Sequence, residues 1–281
     1  MERYVKTVEG VIGEMKIRDY LKSRLGFSTS LIGKVKYGGV ILNGEAVHMR
    51  ATVKNNDIVE VILPEEESDN IEPMDIPLDI VYEDEYILAV NKPINMPVHP
   101  ARGNHLPTLA NAVRGYIGHP FVFRAVNRLD RDTSGIVLIA KDRIIGAKLY
   151  ESMKSKRFGK IYIAKVAGTP EPPHGFINAP IKREAEGSIR RVVREDGKDS
   201  LTEYTVIDVD EGGNATLEVI PHTGRTHQIR VHMAHIGHPL IGDFLYGERI
   251  DGETYSLHCS SLTFMHPITD EEITVKTKEK F

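Results

Sequence analysis

The sequence predicts an α+β protein, with a large domain on a mixed sheet preceded by a small α+β unit. Three observations lead there. From residue 80 onward, strand and helix patterns do not alternate as regular βαβ units, which disfavours a doubly wound parallel sheet. Ahead of residue 63, two short helical patterns precede Asn43-Gly44, the strongest short hairpin signal. Between these regions, residues 64–85 hold ten acids and no Lys or Arg. The expected boundaries are 1–63 for the small unit with its lead-in, 64–75 for an acidic linker and 76–281 for the large domain. A chain of 281 residues is long enough for both.

Residues 1–13 read as a strand-like lead-in. Ile17, Leu21 and Leu25 then repeat at helical spacing, with Gly26 as a stop. Ser28, Thr29 or Ser30 caps a second helix carrying Leu31, Ile32 and Val35, stopped by Gly38-Gly39. Val40-Ile41-Leu42 meets the hairpin turn, Val47 lies on the returning strand, and Ile58 to Ile62 closes the unit. From Lys16 to Lys54 eight basic residues stand against two acids, a balance of +6 that suits phosphate contacts. Helix, helix and hairpin in this order resemble the S4 RNA-binding domain, which implies RNA contact through residues such as Lys16, Arg18, Lys34 and Lys36.

The acidic stretch, with Pro64, Pro73 and Pro77 in it, is expected to be extended and self-repelling to residue 75. It lets a chain with a basic unit carry a net charge of −4. In the large domain, Ile87 to Val90 is a strand that delivers Asn91-Lys92-Pro93, with Lys92 read as a surface turn lysine. Leu109 to Tyr116 and Arg143 to Lys156 read as helices. Residues 160–166 alternate as a half-buried strand, 182–199 as a charged loop or hairpin, and 201–209 and 215–220 as paired strands. Thr226 is placed to cap a helix on which Ile229, Met233 and Ile236 share a face. Leu257 to Phe264 and Ile273 to Lys276 are strands. Between Lys141 and Lys165 a further excess of +6 is a second candidate for facing phosphates.

The chemistry concentrates in Asn127-Arg128-Leu129-Asp130-Arg131-Asp132-Thr133-Ser134-Gly135, directly before the apolar run Ile136 to Ala140. Charges at the mouth of a buried strand must be paired or used. This is a salt-bridged turn capped by Asp132, Thr133 and Ser134, or a catalytic loop.

The stretch resembles the signature of the RluA-type pseudouridine synthases, His-Arg-Leu-Asp-x-x-Thr-Ser-Gly. It matches at eight of nine positions, with Asn127 in place of His. Further matches follow in the family's order. They are Asn91-Lys92-Pro93 with His99-Pro100, Lys160-Ile161-Tyr162, and the run Thr223-Gly224-Arg225-Thr226-His227-Gln228-Ile229-Arg230-Val231-His232. After these come Gly237-His238-Pro239, Gly242-Asp243, Tyr246-Gly247, Leu257-His258 and His266-Pro267. Where the family has Gly, this chain has Asn95, the non-glycine residue most tolerant of positive φ.

The resemblance implies a pseudouridine-synthase-type mixed-sheet domain that isomerises specific uridines in structured rRNA or tRNA, with no cofactor. It implies Asp130 as the carboxylate at the ribose, acting as nucleophile or base, and Arg225 as its ion-pair partner. Tyr162 would stack on the target base, Arg128 would take the place of the extruded base, and Ile229 would wall an apolar pocket. Asp132 suits a turn role better.

Two other readings compete. His222, His227, His232, His235 and His238 crowd one segment, but no metal-ligand spacing accompanies them, so no metal is expected. A non-catalytic RNA-binding or ribosome-assembly protein would also carry the basic stretches. Cys259 is the only cysteine, which excludes an internal disulfide or a thiolate metal cluster. No apolar run approaches membrane-spanning length, and a cytoplasmic monomer without membrane contact is expected.

Overall fold

A computed structural model describes residues 2–27, 29–63, 71–100, 107–118, 121–154, 157–248, 250 and 254–279. The N-terminal part contains β1 (Glu2–Thr7), β2 (Met15–Lys16), α1 (Ile17–Ser23), α2 (Thr29–Val35), β3 (Val40–Leu42), β4 (Glu45–Ala46), β5 (Thr52–Val53) and β6 (Ile58–Leu63). Strands β1, β6, β3 and β4 form one sheet in that order. The hairpin turn is as expected: Asn43 and Gly44 take φ of 50° and 88°, the positive values its turn type requires. Ile17, Leu21, Leu31, Ile32 and Val35 lie on the inner helix faces and bury against Val59, Val61 and Leu63. Ser28 and residues 64–70 of the expected linker lie outside the described residues.

The rest of the chain carries β7 (Ile80–Glu83), β8 (Ile87–Lys92), α3 (Leu109–Ile117), β9 (Ser134–Ala140), α4 (Arg143–Lys154), β10 (Phe158–Val166), β11 (His174–Asn178), β12 (Ile181–Arg183) and β13 (Arg191–Val193). It continues with β14 (Leu201–Val209), β15 (Ala215–Pro221), α5 (Gln228–His235), β16 (Leu257–Met265) and β17 (Glu272–Lys276). One sheet runs β11-β14-β15-β10-β16-β9-β8-β7, with β17 also paired to β16. It is mixed, as expected: β9 and β16 run parallel and their neighbours antiparallel. β12 and β13 form a separate hairpin.

Two details correct the sequence reading. Ile71 is buried in the large core, and the carbonyls of Ile71 and Glu72 accept bonds from Arg114 and Asn111 on α3. The acidic stretch is therefore docked from residue 71, not free to 75. Part of the basic run after Lys141 is spent on contacts within the protein. Lys141 bonds Glu83, and Lys148 bonds the Tyr4 hydroxyl and the Pro267 carbonyl. With Ile144, which joins the smaller core, Lys148 holds the N-terminal sheet against α4.

Candidate active site

The loop between Asn127 and Gly135 is fixed at both ends and from below. Asn127 is buried; its Nδ2 donates to the Ile136 carbonyl at 2.9 Å and its Oδ1 accepts the Leu138 amide at 2.8 Å. This amide clamps the loop's start to β9. At the other end Gly135, with φ of 111°, lets β9 approach β16. A Cβ there would stand 2.3 Å from the Cys259 carbonyl oxygen, so only glycine fits.

Lys92 is the support from below, and it is not the surface lysine expected. It is fully buried, and its Nζ donates to the carbonyls of Pro93, Met96 and Arg131 at 2.7, 2.9 and 3.0 Å. Burial pulls its pKa down to about 7, against the opposing pull of Asp132 and Asp130. Three acceptors match the three protons of an ammonium group. The turn above it uses Asn95 at φ 58°, as its tolerance of that region allows.

Within the loop the two carboxylates have different surroundings. Asp132 is buried and takes both Nε and Nη2 of Arg131 at 2.8 Å, the turn role expected for it. Asp130 accepts the Thr133 amide with its backbone carbonyl, while its side chain is 34% exposed. Its Oδ2 lies 3.8 Å from Arg230 Nη1 and 3.8 Å from His227 Nε2.

Arg230, not Arg225, is thus the arginine beside Asp130. Arg225 lies in the loop before α5, and its Nε donates to the Asp199 carbonyl at 3.0 Å. Gln228 sets this arrangement by accepting the Arg225 amide and the Thr223 hydroxyl with its side-chain oxygen. Thr226 does not cap the helix. The residue before α5 is His227, in the left-handed region at φ 59°, with no side-chain capping bond. Arg230 sits on the first turn, facing inward, where Asp243 takes its Nε and Nη2 at 2.7 Å each. Its guanidinium also stacks 4.0 Å over the Tyr255 ring. His227, directly before α5, and Arg230, on its first turn, are three residues apart and approach the same Asp130 oxygen.

Tyr162 is 7% exposed on β10, just past the irregularity in its pairing with β16. Such irregularities re-aim side chains beside active sites. Burial foremost, then Cys259 and Asp130, pushes its phenol pKa up. Tyr255, 2% exposed, lies under the Arg230 guanidinium, its hydroxyl 3.2 Å from Thr133 Oγ1. Arg128 is exposed, Ile229 is buried in the core, and Lys16, Arg18, Lys34 and Lys36 are all exposed. The crowded histidines diverge. His222 pairs with Glu203, His232 bonds Thr202 and the Ala179 carbonyl, and His238 lies against the Ala167 carbonyl. Beside the site, Lys182, Arg183, Arg191, Lys198 and Arg225 line a cavity of about 420 Å³ with Asp196 as its one acid.

The site is therefore a partly exposed carboxylate with Arg230 and His227 each 3.8 Å from one of its oxygens, next to a basic cavity. The RNA pseudouridylate synthase family matches residues 86–235, more than half of the chain. An uncharacterized RNA pseudouridine synthase of Bacillus subtilis, YjbO, is 37% identical over 92% of this chain and 93% of its own. The ribosomal large subunit pseudouridine synthase D of Xanthomonas campestris pv. campestris is 34% identical over 88% of this chain and 80% of its own. Among solved structures, human RNA pseudouridylate synthase domain containing 1 superposes with a TM-score of 0.62 at 29% identity, covering 76% of this chain and 86% of that one. On these matches the chain belongs to the RNA pseudouridine synthases, which isomerise uridine to pseudouridine within RNA.

Proposed function

We propose that Asp130 is the carboxylate of this reaction and that its substrate is a uridine in structured rRNA or tRNA. The reaction breaks the bond from ribose C1′ to uracil N1, turns the base and joins C1′ to C5. Substrate and product are isomers, so the balance needs no cofactor. It needs an ionised carboxylate at the sugar, acting as nucleophile or base, and a way to reach a stacked base. One observation carries the assignment: Asp130 is partly exposed, with Arg230 and His227 both 3.8 Å from one of its oxygens. Arg230 places a positive charge beside that oxygen.

Tyr162 is the wall for the base, Ile229 backs the pocket from the core, and exposed Arg128 enters the space the base leaves. Arg225 moves from partner of the carboxylate to the basic cavity, where it serves the RNA backbone. The N-terminal sheet with its two helices acts as an S4-like RNA-binding unit through Lys16, Arg18, Lys34 and Lys36. The protein acts as a monomer in the cytoplasm. The test is to map pseudouridine in rRNA and tRNA from a deletion strain. The protein should restore each lost site on the matching unmodified transcript, with release of tritium from C5. An unchanged pseudouridine map in both RNA classes would refute the substrate assignment.

A further inference from the structure

His227 has no part in the reaction as described, yet it is held at some cost. A non-glycine residue at φ 59° stands in a backbone region that side chains other than glycine's rarely adopt. The position before a helix normally recovers such a cost through a capping bond, and His227 makes none. Its ring is engaged at Nδ1 instead. Nδ1 lies 2.7 Å from the Tyr246 hydroxyl, and that hydroxyl accepts the Arg191 amide at 2.8 Å. With the amide donating to its oxygen, the hydroxyl is free to give its own proton to Nδ1. In that arrangement Nδ1 is bare and Nε2 carries the ring hydrogen. Nε2 is the atom that faces Asp130, and its closest approach is to Oδ2, the same oxygen that Arg230 approaches.

We infer that His227 is a positioning residue for Asp130. The Arg191–Tyr246 chain locks it as the Nε2–H tautomer, and that N–H joins Arg230 in holding Oδ2, so that Oδ1 is the oxygen presented to the ribose. The inference rests on Asp130 being the reacting carboxylate. At 3.8 Å neither contact is yet a hydrogen bond; a closure of about 0.9 Å makes both, and catalytic bonds commonly tighten when substrate binds. Around the ring stand Asp130, Arg230, Arg191, Asp243 and Tyr246. Burial holds the imidazole pKa below its usual value, the two arginines act in the same sense, and Asp130 and Asp243 oppose them. A neutral ring donates to Asp130 without protonating it. Arg191 also lines the basic cavity, so RNA seated there bears on the same chain.

The test uses the full chain and a pool of unmodified rRNA and tRNA transcripts tritiated at uridine C5, under single-turnover conditions. His227→Gly and His227→Asn both accept positive φ and lack the ring N–H. Each should lower the rate roughly 10–100-fold with little change in RNA affinity. His227→Gln restores an N–H at similar reach and should recover part of that loss. Tyr246→Phe, which releases the tautomer, should also slow the reaction. Wild-type rates in the Gly and Asn variants, or a Gln variant no better than Gly, would overturn the inference. Asp130→Asn in the same assay separates the two levels. If it turns over, the carboxylate assignment itself fails; if it is dead while His227→Gly is unimpaired, only the role of His227 fails.

Discussion

Replacing Arg230 separates the two arginines of the Thr223–His232 segment. Arg230 is 4% exposed and Asp243 is fully buried, joined by two bonds of 2.7 Å. Removing one partner of such a pair leaves the other charge buried, at a cost of roughly 3–5 kcal/mol. Asp243 keeps the amides of Leu245 and Tyr246 as donors at 3.0 and 3.2 Å, so the lower end of that range applies. Against a domain stability of about 5–15 kcal/mol, Arg230→Ala should remain folded but lose much of its margin in urea. Arg230→Lys keeps the charge and gives up the two-pronged fit, so it isolates geometry from charge. In the tritium-release assay both variants should be severely slowed, Ala more than Lys. Arg225→Ala gives up a half-exposed side chain and one bond to a carbonyl. It should leave stability within about 0.5 kcal/mol and weaken RNA binding more than the chemical step. If Arg225→Ala abolished tritium release while Arg230→Lys turned over normally, the pairing described here would be wrong.

Two further expectations follow from other parts of the molecule. Asp84 accepts the Tyr86 and Ile87 amides, the Tyr82 hydroxyl and His266 Nε2. Burial opposes its ionisation, but these donors prevail and hold its pKa below the usual value. Asp84→Asn should therefore cost about 1–2 kcal/mol above pH ~4, and the difference from wild type should vanish as pH falls through the depressed folded value. Urea melts at several pH values check this. Changing Lys16, Arg18, Lys34 and Lys36 together to Gln should weaken RNA binding and flatten its salt dependence while leaving the bound-state rate intact. An unchanged salt slope would remove the N-terminal unit from the RNA interface.

Much of the molecule was legible because its signals are local. The Asn43-Gly44 turn, the α1 and α2 faces and the alternation of β10 each depend on neighbours a few residues away. The Asp130 loop was legible because two carboxylates and two arginines before an apolar strand demand an explanation. What was missed depends on distant contacts. Charge counting along residues 141–165 is blind to direction, and several of those cations point inward. Ile71 is one apolar residue among acids, and only α3 shows that it docks. Lys92 looked like a turn lysine because nothing nearby in sequence announces three convergent carbonyls. The choice of Arg225 over Arg230 followed motif position, whereas the inward face of α5 is set by where Asp243 and Tyr255 stand.

The most direct test of the central claim is single-turnover tritium release by Asp130→Asn, with Asp132→Asn beside it. Asparagine keeps the shape of Asp130 and removes its charge and basicity. The account predicts no detectable release from Asp130→Asn with RNA affinity near wild type. Asp132→Asn should retain activity, since its carboxylate serves the turn through Arg131. Turnover by Asp130→Asn at near wild-type rate, with Asp132→Asn inactive, would contradict the account.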